Sequence, residues 1–282
     1  MEVAEVGLAG GWLHAALLGV VEGITEFLPV SSTGHLIVAA HFLGEHSDAA
    51  KLFEVVIQLG AILAVCWHYR LRLWQTAKMT QAAARKGKAP PPLVINLIVA
   101  FLPAAVLGLA FYDVIKEYLF SPRSVAIALI IGGIVIIIVE RKPNPAKTKA
   151  PPKRRIADID DIRPLDALVI GLAQSLALFP GVSRAGATII GAMLWGAQRR
   201  AATEFSFLLA LPVMFAATGY DLLRSYHLLH WQFAGQIACG FAVSFVSALI
   251  VIRALLAFVA RRNFTPFGYY RIFFGALVLM AL

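Results

Sequence analysis

Two short segments of this chain set ionisable and hydroxyl side chains inside otherwise apolar sequence. The first, EGITEFLPVSSTGH at 22 to 35, carries Glu22, Glu26, Ser31, Ser32, Thr33 and His35, and the second, PGVSRAGAT at 180 to 188, carries Ser183, Arg184 and Thr188. Glu22 and Glu26 are four residues apart, so on a helix they share one face. Two carboxylates in an apolar medium are costly; they need a cation, a shared proton or water, and both are candidate ligands for a divalent metal. Ion pairing alone does not answer for them, because Arg184 is the one strong basic partner expected at that depth. Pro29 ends the first helix, and Ser31, Ser32 and Thr33 stand where the next begins. Hydroxyls there ordinarily cap a helix, and a lone buried histidine is ordinarily a satisfied core residue. Acids, hydroxyls and an imidazole together describe more: a nucleophile beside a base. Ser32 is the preferred nucleophile with Glu26 or His35 as base, and His35 or water as the nucleophile stays open.

The second segment supplies the complement. Pro180 and Gly181 break the chain, Ser183 can cap the following helix, and Arg184 adds a fixed charge at its N-terminus. Free N–H groups, a positive dipole end and a guanidinium make an anion site, phosphate above all. Ser31, Thr33, Ser183 and Thr188 are the candidate substrate-binding hydroxyls. If the two segments meet, their site holds an acidic pair for a cation, a nucleophile and an arginine clamp for phosphoryl oxygens.

The elements that must position these residues follow from composition. The 282 residues are 60% hydrophobic and 15% charged, with mean hydropathy +0.78, against about 25% charge in a soluble domain. A water-soluble globule is excluded. The net charge of +9 raises the question of nucleic acid, but the basic residues concentrate in Arg70 to Lys88 and Arg141 to Arg163, between apolar blocks and without interleaved aromatics. That is the signature of cytoplasmic loops. Arg199, Arg200, Arg261 and Arg262 fall in two further short links and Lys51, Lys116, Arg123 and Arg224 at the opposite ends of the blocks, which leaves Arg184, Arg253 and Arg271 within apolar sequence. Cys66 and Cys239 also lie in apolar blocks and read as small buried hydrophobes. The N-terminus has two glutamates and no basic residue before its apolar run, unlike a cleaved signal.

Six blocks read as full spans: 48–69, 93–111, 124–140, 203–221, 235–259 and 265–282. Two more, 12–43 and 165–198, are too long for one span and are interrupted by the two segments above. Irregular backbone at membrane depth survives only where protein or a wet cavity covers it, so both are expected to be re-entrant helix hairpins. The expected fold is an all-α integral membrane protein of six transmembrane helices plus two re-entrant hairpins. The residues 70–92, 141–163, 199–202 and 260–264 are its cytoplasmic loops.

An internal repeat supports this. At one constant offset of 152, Gly19, Phe27, Val30, Ser31 and Gly34 overlie Gly171, Phe179, Val182, Ser183 and Gly186, and Phe53 and Leu59 overlie Phe205 and Leu211. The chain is expected to be a single membrane domain, 1–282, with one repeat half near 12–140, the other near 164–282, and the basic loop 141–163 between them. Each half holds three spans, an odd number, so the second is inverted and the hairpin tips can meet near the midplane.

These residues also carry a resemblance. EGITEFLPVSSTGH and PGVSRAGAT are similar to the two signature segments of the bacterial undecaprenyl pyrophosphate phosphatase family, known also for bacitracin resistance. FEVVIQLGAILAV at 53–65 and TEFSFLLA at 203–210 extend the likeness over essentially the whole chain. The resemblance implies a multi-pass enzyme of the bacterial inner membrane that removes the terminal phosphate of undecaprenyl diphosphate. It would thereby recycle the lipid carrier of peptidoglycan synthesis, with a divalent cation, Mg or Ca, as cofactor. Its partners would be the polyprenyl diphosphate substrate and membrane lipids, with no nucleic acid and with room for an oligomer. Residue by residue, it places Glu22, Glu26, Ser32, His35 and Arg184 in the catalytic set. One position departs: the family usually reads Ser after the arginine, and here it is Ala185, so a hydrogen bond from that serine to phosphate would be missing.

The competing reading is a secondary transporter or flippase for a phosphorylated polyprenyl lipid. A carrier does not require a hydroxyl and an imidazole beside an acidic pair, which favours the enzyme. Other polar residues say less. Glu54 is open between a role near the acids and a helix-packing hydrogen bond. His14, His41, His46, His68, His227 and His230 mostly fall near expected interfaces, and Gly19 and Gly23 form a GxxxG that close helix packing explains.

Overall fold

The described residues of the computed structural model are 8, 10–45, 47–118, 121–141, 156–225 and 233–281, and they are almost wholly helical. In chain order the helices are α1 (Gly11–Thr25), α2 (Ser32–Leu43), α3 (Asp48–His68), α4 (Arg70–Arg85), α5 (Pro92–Tyr118), α6 (Pro122–Arg141), α7 (Pro164–Ser175), α8 (Arg184–Trp195), α9 (Arg199–Ser225), α10 (Ala234–Val259) and α11 (Thr265–Ala281). Proline opens α5, α6 and α7, the position where its missing N–H costs nothing. Within α5, α6, α9 and α10 lie segments long and apolar enough to cross a bilayer, and α3 and α4 form one apolar pair bent by 76°. The protein is a multi-pass membrane protein. At 1.5 Å per residue α11 is about 26 Å long, close to the ~30 Å of hydrocarbon.

One expectation is corrected. The segment after α3, read as part of a loop at 70–92, is helical over Arg70–Arg85. No glycine or proline interrupts it before Gly87, and Ala77 and Ala82 to Ala84 are strong helix formers. Of the basic loop expected at 141–163, residues 142–155 lie outside the described ones, as do His46, His227 and His230.

Both interrupted blocks form two helices around a break, α1 with α2 and α7 with α8. Pro29 and the Pro180–Gly181 pair stand in the breaks, and a 3-10 turn at Leu176–Leu178 precedes the second. Ser31 and Ser183 each adopt φ of 74°, a conformation that costs a residue with a Cβ about 1–3 kcal/mol. Each also caps the helix it precedes, Ser31 Oγ accepting from the N–H of Gly34 at 3.4 Å and Ser183 Oγ from that of Gly186 at 3.1 Å. These two serines are the pair matched by the offset of 152.

Packing follows a reciprocal pattern. Helix α1 lies along α10 while α7 lies along α5, α6 runs along α11, and α3 packs against both α9 and α10. Gly19 and Gly23 make the α1–α10 approach: a Cβ at either would fall 2.5 Å from the carbonyl oxygen of Gly240 or Ser244. The GxxxG is therefore a close-packing device, as its spacing predicts. Phe27, Phe205 and Phe207, all fully buried, centre the core next to the first break. At one end of the bundle buried Glu140 pairs with Arg199 and accepts the N–H of Phe264 at 2.9 Å, and Arg72 of α4 pairs with Asp160.

Candidate active site

The first residue of α2 is Ser32 and the first of α8 is Arg184, so two helix N-termini frame one cavity of about 200 Å³. Glu26, Ser31, Ser32 and Thr33 line it from one break, and Ser183 and Arg184 from the other. This is below the ~300–1,000 Å³ that encloses a whole drug-sized ligand. It suits a compact head group. Two positive dipole ends and a guanidinium make that head group an anion.

Glu26 joins the halves. Its Oε2 accepts a 2.5 Å hydrogen bond from Ser32 Oγ, and its Oε1 accepts one of 2.8 Å from Arg184 Nη2. Arg184 Nη1 donates to the carbonyl of Ser206 at 3.0 Å, and its guanidinium lies 5.7 Å from the centre of the Phe27 ring. Both side chains of the pair are largely shielded, 12% exposed for Arg184 and 7% for Glu26. The arrangement presents a hydroxyl held against a carboxylate, with a cation fixed by that same carboxylate.

Glu22 is fully buried and neither of its carboxylate oxygens meets a hydrogen-bond donor. Its charged neighbours are Glu26, Glu54 and Arg184. A buried carboxylate without donors fits a cation, and hard carboxylate oxygens suit Mg or Ca. Among the described residues no cluster of three or more His, Cys, Asp or Glu could hold a metal, so the protein would offer two ligands and leave the rest to water or phosphoryl oxygens. Glu22 itself does not line the cavity.

Two candidates stand apart from it. The His35 ring donates from Nδ1 to the carbonyl of Ser31 at 2.7 Å, which leaves Nε2 to accept the Tyr270 hydroxyl at 2.7 Å, and it stacks on Phe274 at 4.2 Å. Both nitrogens are occupied, and the structure does not bring the ring to Ser32. Thr188 is fully buried; its hydroxyl donates to the carbonyl of Arg184 at 2.7 Å, one turn back, and it does not face the cavity.

Against known proteins, the model of the family described as "Bacitracin resistance protein BacA" matches residues 15–277. The chain belongs to the BacA family. Relatives called undecaprenyl-diphosphatase include one from Neisseria gonorrhoeae, 50% identical over 268 residues (95% of this chain and 94% of the relative). Another, from Nitrosospira multiformis, is 49% identical over 271 residues, again 95% and 94%. One from Paraburkholderia xenovorans, "Undecaprenyl-diphosphatase 1", is 51% identical over 274 residues, 95% of both.

The geometry bears on position 185, where the resemblance implies a serine. Ala185 is 1% exposed, belongs to the apolar core and does not line the cavity. A serine there points into packed hydrocarbon, where an unpaired hydroxyl costs about 1–3 kcal/mol. Ala185→Ser is therefore expected to leave KM unchanged and to lower the thermal midpoint. A clear fall in KM would show that the side chain at 185 does reach the substrate.

Gln58 and Gln174 line the cavity too, and neither belongs to the two signature segments. For Gln174 a signal was present, since it occupies the repeat position of Glu22 at the offset of 152. The larger omission is Arg271. It is 1% exposed, and its side chain reaches both breaks.

Proposed function

We propose that this chain hydrolyses undecaprenyl diphosphate to undecaprenyl phosphate and inorganic phosphate in the bacterial inner membrane, recycling the lipid carrier of peptidoglycan synthesis and so conferring bacitracin resistance. The observation that carries the reading is the 2.5 Å hydrogen bond from Ser32 to Glu26 inside a cavity framed by two helix N-termini and Arg184. A carrier that only binds and releases has no use for a hydroxyl held against a base.

Ser32 is the nucleophile and Glu26 the base. The Oγ proton passes to Glu26 Oε2 as the Oγ–P bond forms and the bond from the terminal phosphorus to undecaprenyl phosphate breaks. Glu26 returns that proton to the departing phosphate oxygen. As a carboxylate again it takes a proton from water, whose oxygen attacks phosphorus; the Oγ–P bond breaks and the proton goes back to Oγ. Arg184, held by Glu26 and Ser206, presents charge to the phosphoryl oxygens throughout, and the N-terminus of α2 favours the anion on Ser32. Glu22 and Glu26 would hold a divalent cation, Mg or Ca, which supplies Lewis-acid stabilisation of phosphoryl charge.

The test is release of inorganic phosphate from undecaprenyl diphosphate by purified protein in detergent, with Mg or Ca and then with chelator. No release with either metal would overturn the proposal, and full release after chelation would remove the cation from it.

The topology proposed is six spans, α3, α5, α6, α9, α10 and α11, with α1–α2 and α7–α8 as re-entrant hairpins from opposite faces in two inverted repeat halves. Support comes from the matching φ of Ser31 and Ser183 and from the exchange by which α1 packs on α10 and α7 on α5. The contacts of Glu140 with Arg199 and Phe264, and of Arg72 with Asp160, gather the basic ends on one side, the cytoplasmic one by its charge. The base of the first hairpin is then external. In a background with Cys66 and Cys239 replaced by alanine, Ser47→Cys is expected to react with a membrane-impermeant thiol reagent in intact cells while Arg85→Cys does not. The reverse pattern would overturn the orientation.

A further inference from the structure

Arg271 lies on α11, far in sequence from both signature segments, and the proposed mechanism makes no use of it. Its guanidinium has five N–H donors, and each meets a different backbone carbonyl. Nη1 donates to Pro29 at 3.1 Å and to Val182 at 3.0 Å, Nη2 to Gly181 at 2.9 Å and Ala128 at 3.1 Å, and Nε to Leu129 at 3.2 Å. One nitrogen therefore bridges the two breaks directly, two residues before Ser31 on one side and one residue before Ser183 on the other. The same side chain anchors both to α6.

The carbonyls of Pro29, Gly181 and Val182 belong to interrupted backbone that no helix ladder satisfies, and inside a membrane protein no bulk water replaces it. None of the five acceptors is a carboxylate, so the charge is stabilised by carbonyl dipoles alone. The fork also stands directly behind the N-terminus of α8, where a Cβ on Gly186 would fall 3.3 Å from Nη1, and it holds the break before α2 through the Pro29 carbonyl.

We infer that Arg271 is a positioning residue for phosphoryl transfer: by holding the carbonyls of both breaks in one fork it sets the mutual placement of the Ser32 and Arg184 helix starts. It touches no reacting atom. It acts through Ser31 and Ser183, whose strained backbone is kept in place by the neighbouring carbonyls. Lysine keeps the charge but has three donors, so at least two of the five carbonyls lose their partner. A misplacement of 1 Å between reacting groups can cost about 100-fold in rate.

The inference rests on the proposed hydrolysis, and two perturbations separate it from a plain folding role. Arg271→Lys changes the fork itself. Gly132→Ala keeps the arginine but puts a Cβ against its Nη2 and Cζ, displacing the fork from α6. Gly219→Ala, where nothing lies within 4 Å of the added Cβ, is the control. For folded, monodisperse protein, kcat on undecaprenyl diphosphate is expected to fall by roughly 10- to 100-fold in Arg271→Lys and measurably in Gly132→Ala. The rise in thermal midpoint produced by inorganic phosphate should shrink in both, a readout independent of turnover. Wild-type kcat and wild-type phosphate stabilisation in folded samples of either variant would overturn the inference. Failure of both to fold while Gly219→Ala folds would also overturn it, in favour of a role in folding alone. A wild type that is stabilised by phosphate yet releases none from the lipid would sink the hydrolase reading and leave the fork testable by the phosphate shift.

Discussion

Glu26→Gln is expected to reduce kcat/KM by about 100- to 10,000-fold, the span of a lost general base. The amide cannot take the Ser32 proton, and it also leaves Arg184 without its carboxylate. Removing one partner of a buried pair costs about 3–5 kcal/mol of stability, so the thermal midpoint should fall as well. Glu22→Gln has a different signature. Glu22 has no hydrogen-bond donor to lose, so its amide is expected to preserve stability while lowering turnover and raising the metal concentration needed. The double variant should be little worse than Glu26→Gln, as happens when residues act as a unit. Rate measurements across a Mg or Ca titration, with thermal unfolding beside them, decide this. Fully additive losses with an unchanged metal requirement would leave Glu26 as a lone base and exclude the shared cation.

Arg184→Lys is the second large effect. The guanidinium spends Nη2 on Glu26 and Nη1 on the Ser206 carbonyl, and this double tether aims its planar fork at the cavity. An ammonium keeps the charge but cannot be held by two partners and still present a bidentate face. Loss of one such donor to a developing oxyanion typically costs about 100- to 1,000-fold in kcat, and that is the fall expected here. Stability should change little, because the lysine can still pair with Glu26. Near-normal turnover in the lysine variant would reduce Arg184 to a counter-ion for Glu26.

Much of this protein is legible in its amino-acid sequence. Membrane class follows from apolar blocks of span length, because hydrocarbon admits little else. The two breaks follow from Pro29 and Pro180–Gly181, since proline and glycine act on the backbone locally. As candidates, Glu22, Glu26 and Arg184 stand out by cost, since acids and a guanidinium inside apolar sequence need a reason, and Ser32 by its place just after the Pro29 break. Helix α4 was equally legible by its alanines and lack of breakers, and its charge drew attention away from them.

The tertiary structure alone decided which partner each polar group takes. His35 and Ser32 sit three residues apart, yet the imidazole turns to Tyr270, 235 residues away. Ala185 follows Arg184 directly, yet one residue packs in the core and the other lines the cavity. Arg271 looked like a stray charge in a span, and its meaning came from carbonyls as far as 242 residues distant in sequence. The physical reason is the same in each case. Backbone breaks, periodicity and burial cost are properties of short stretches of chain. A hydrogen bond requires donor and acceptor within about 3 Å at a fixed angle, and only the packed helices determine which groups meet that condition.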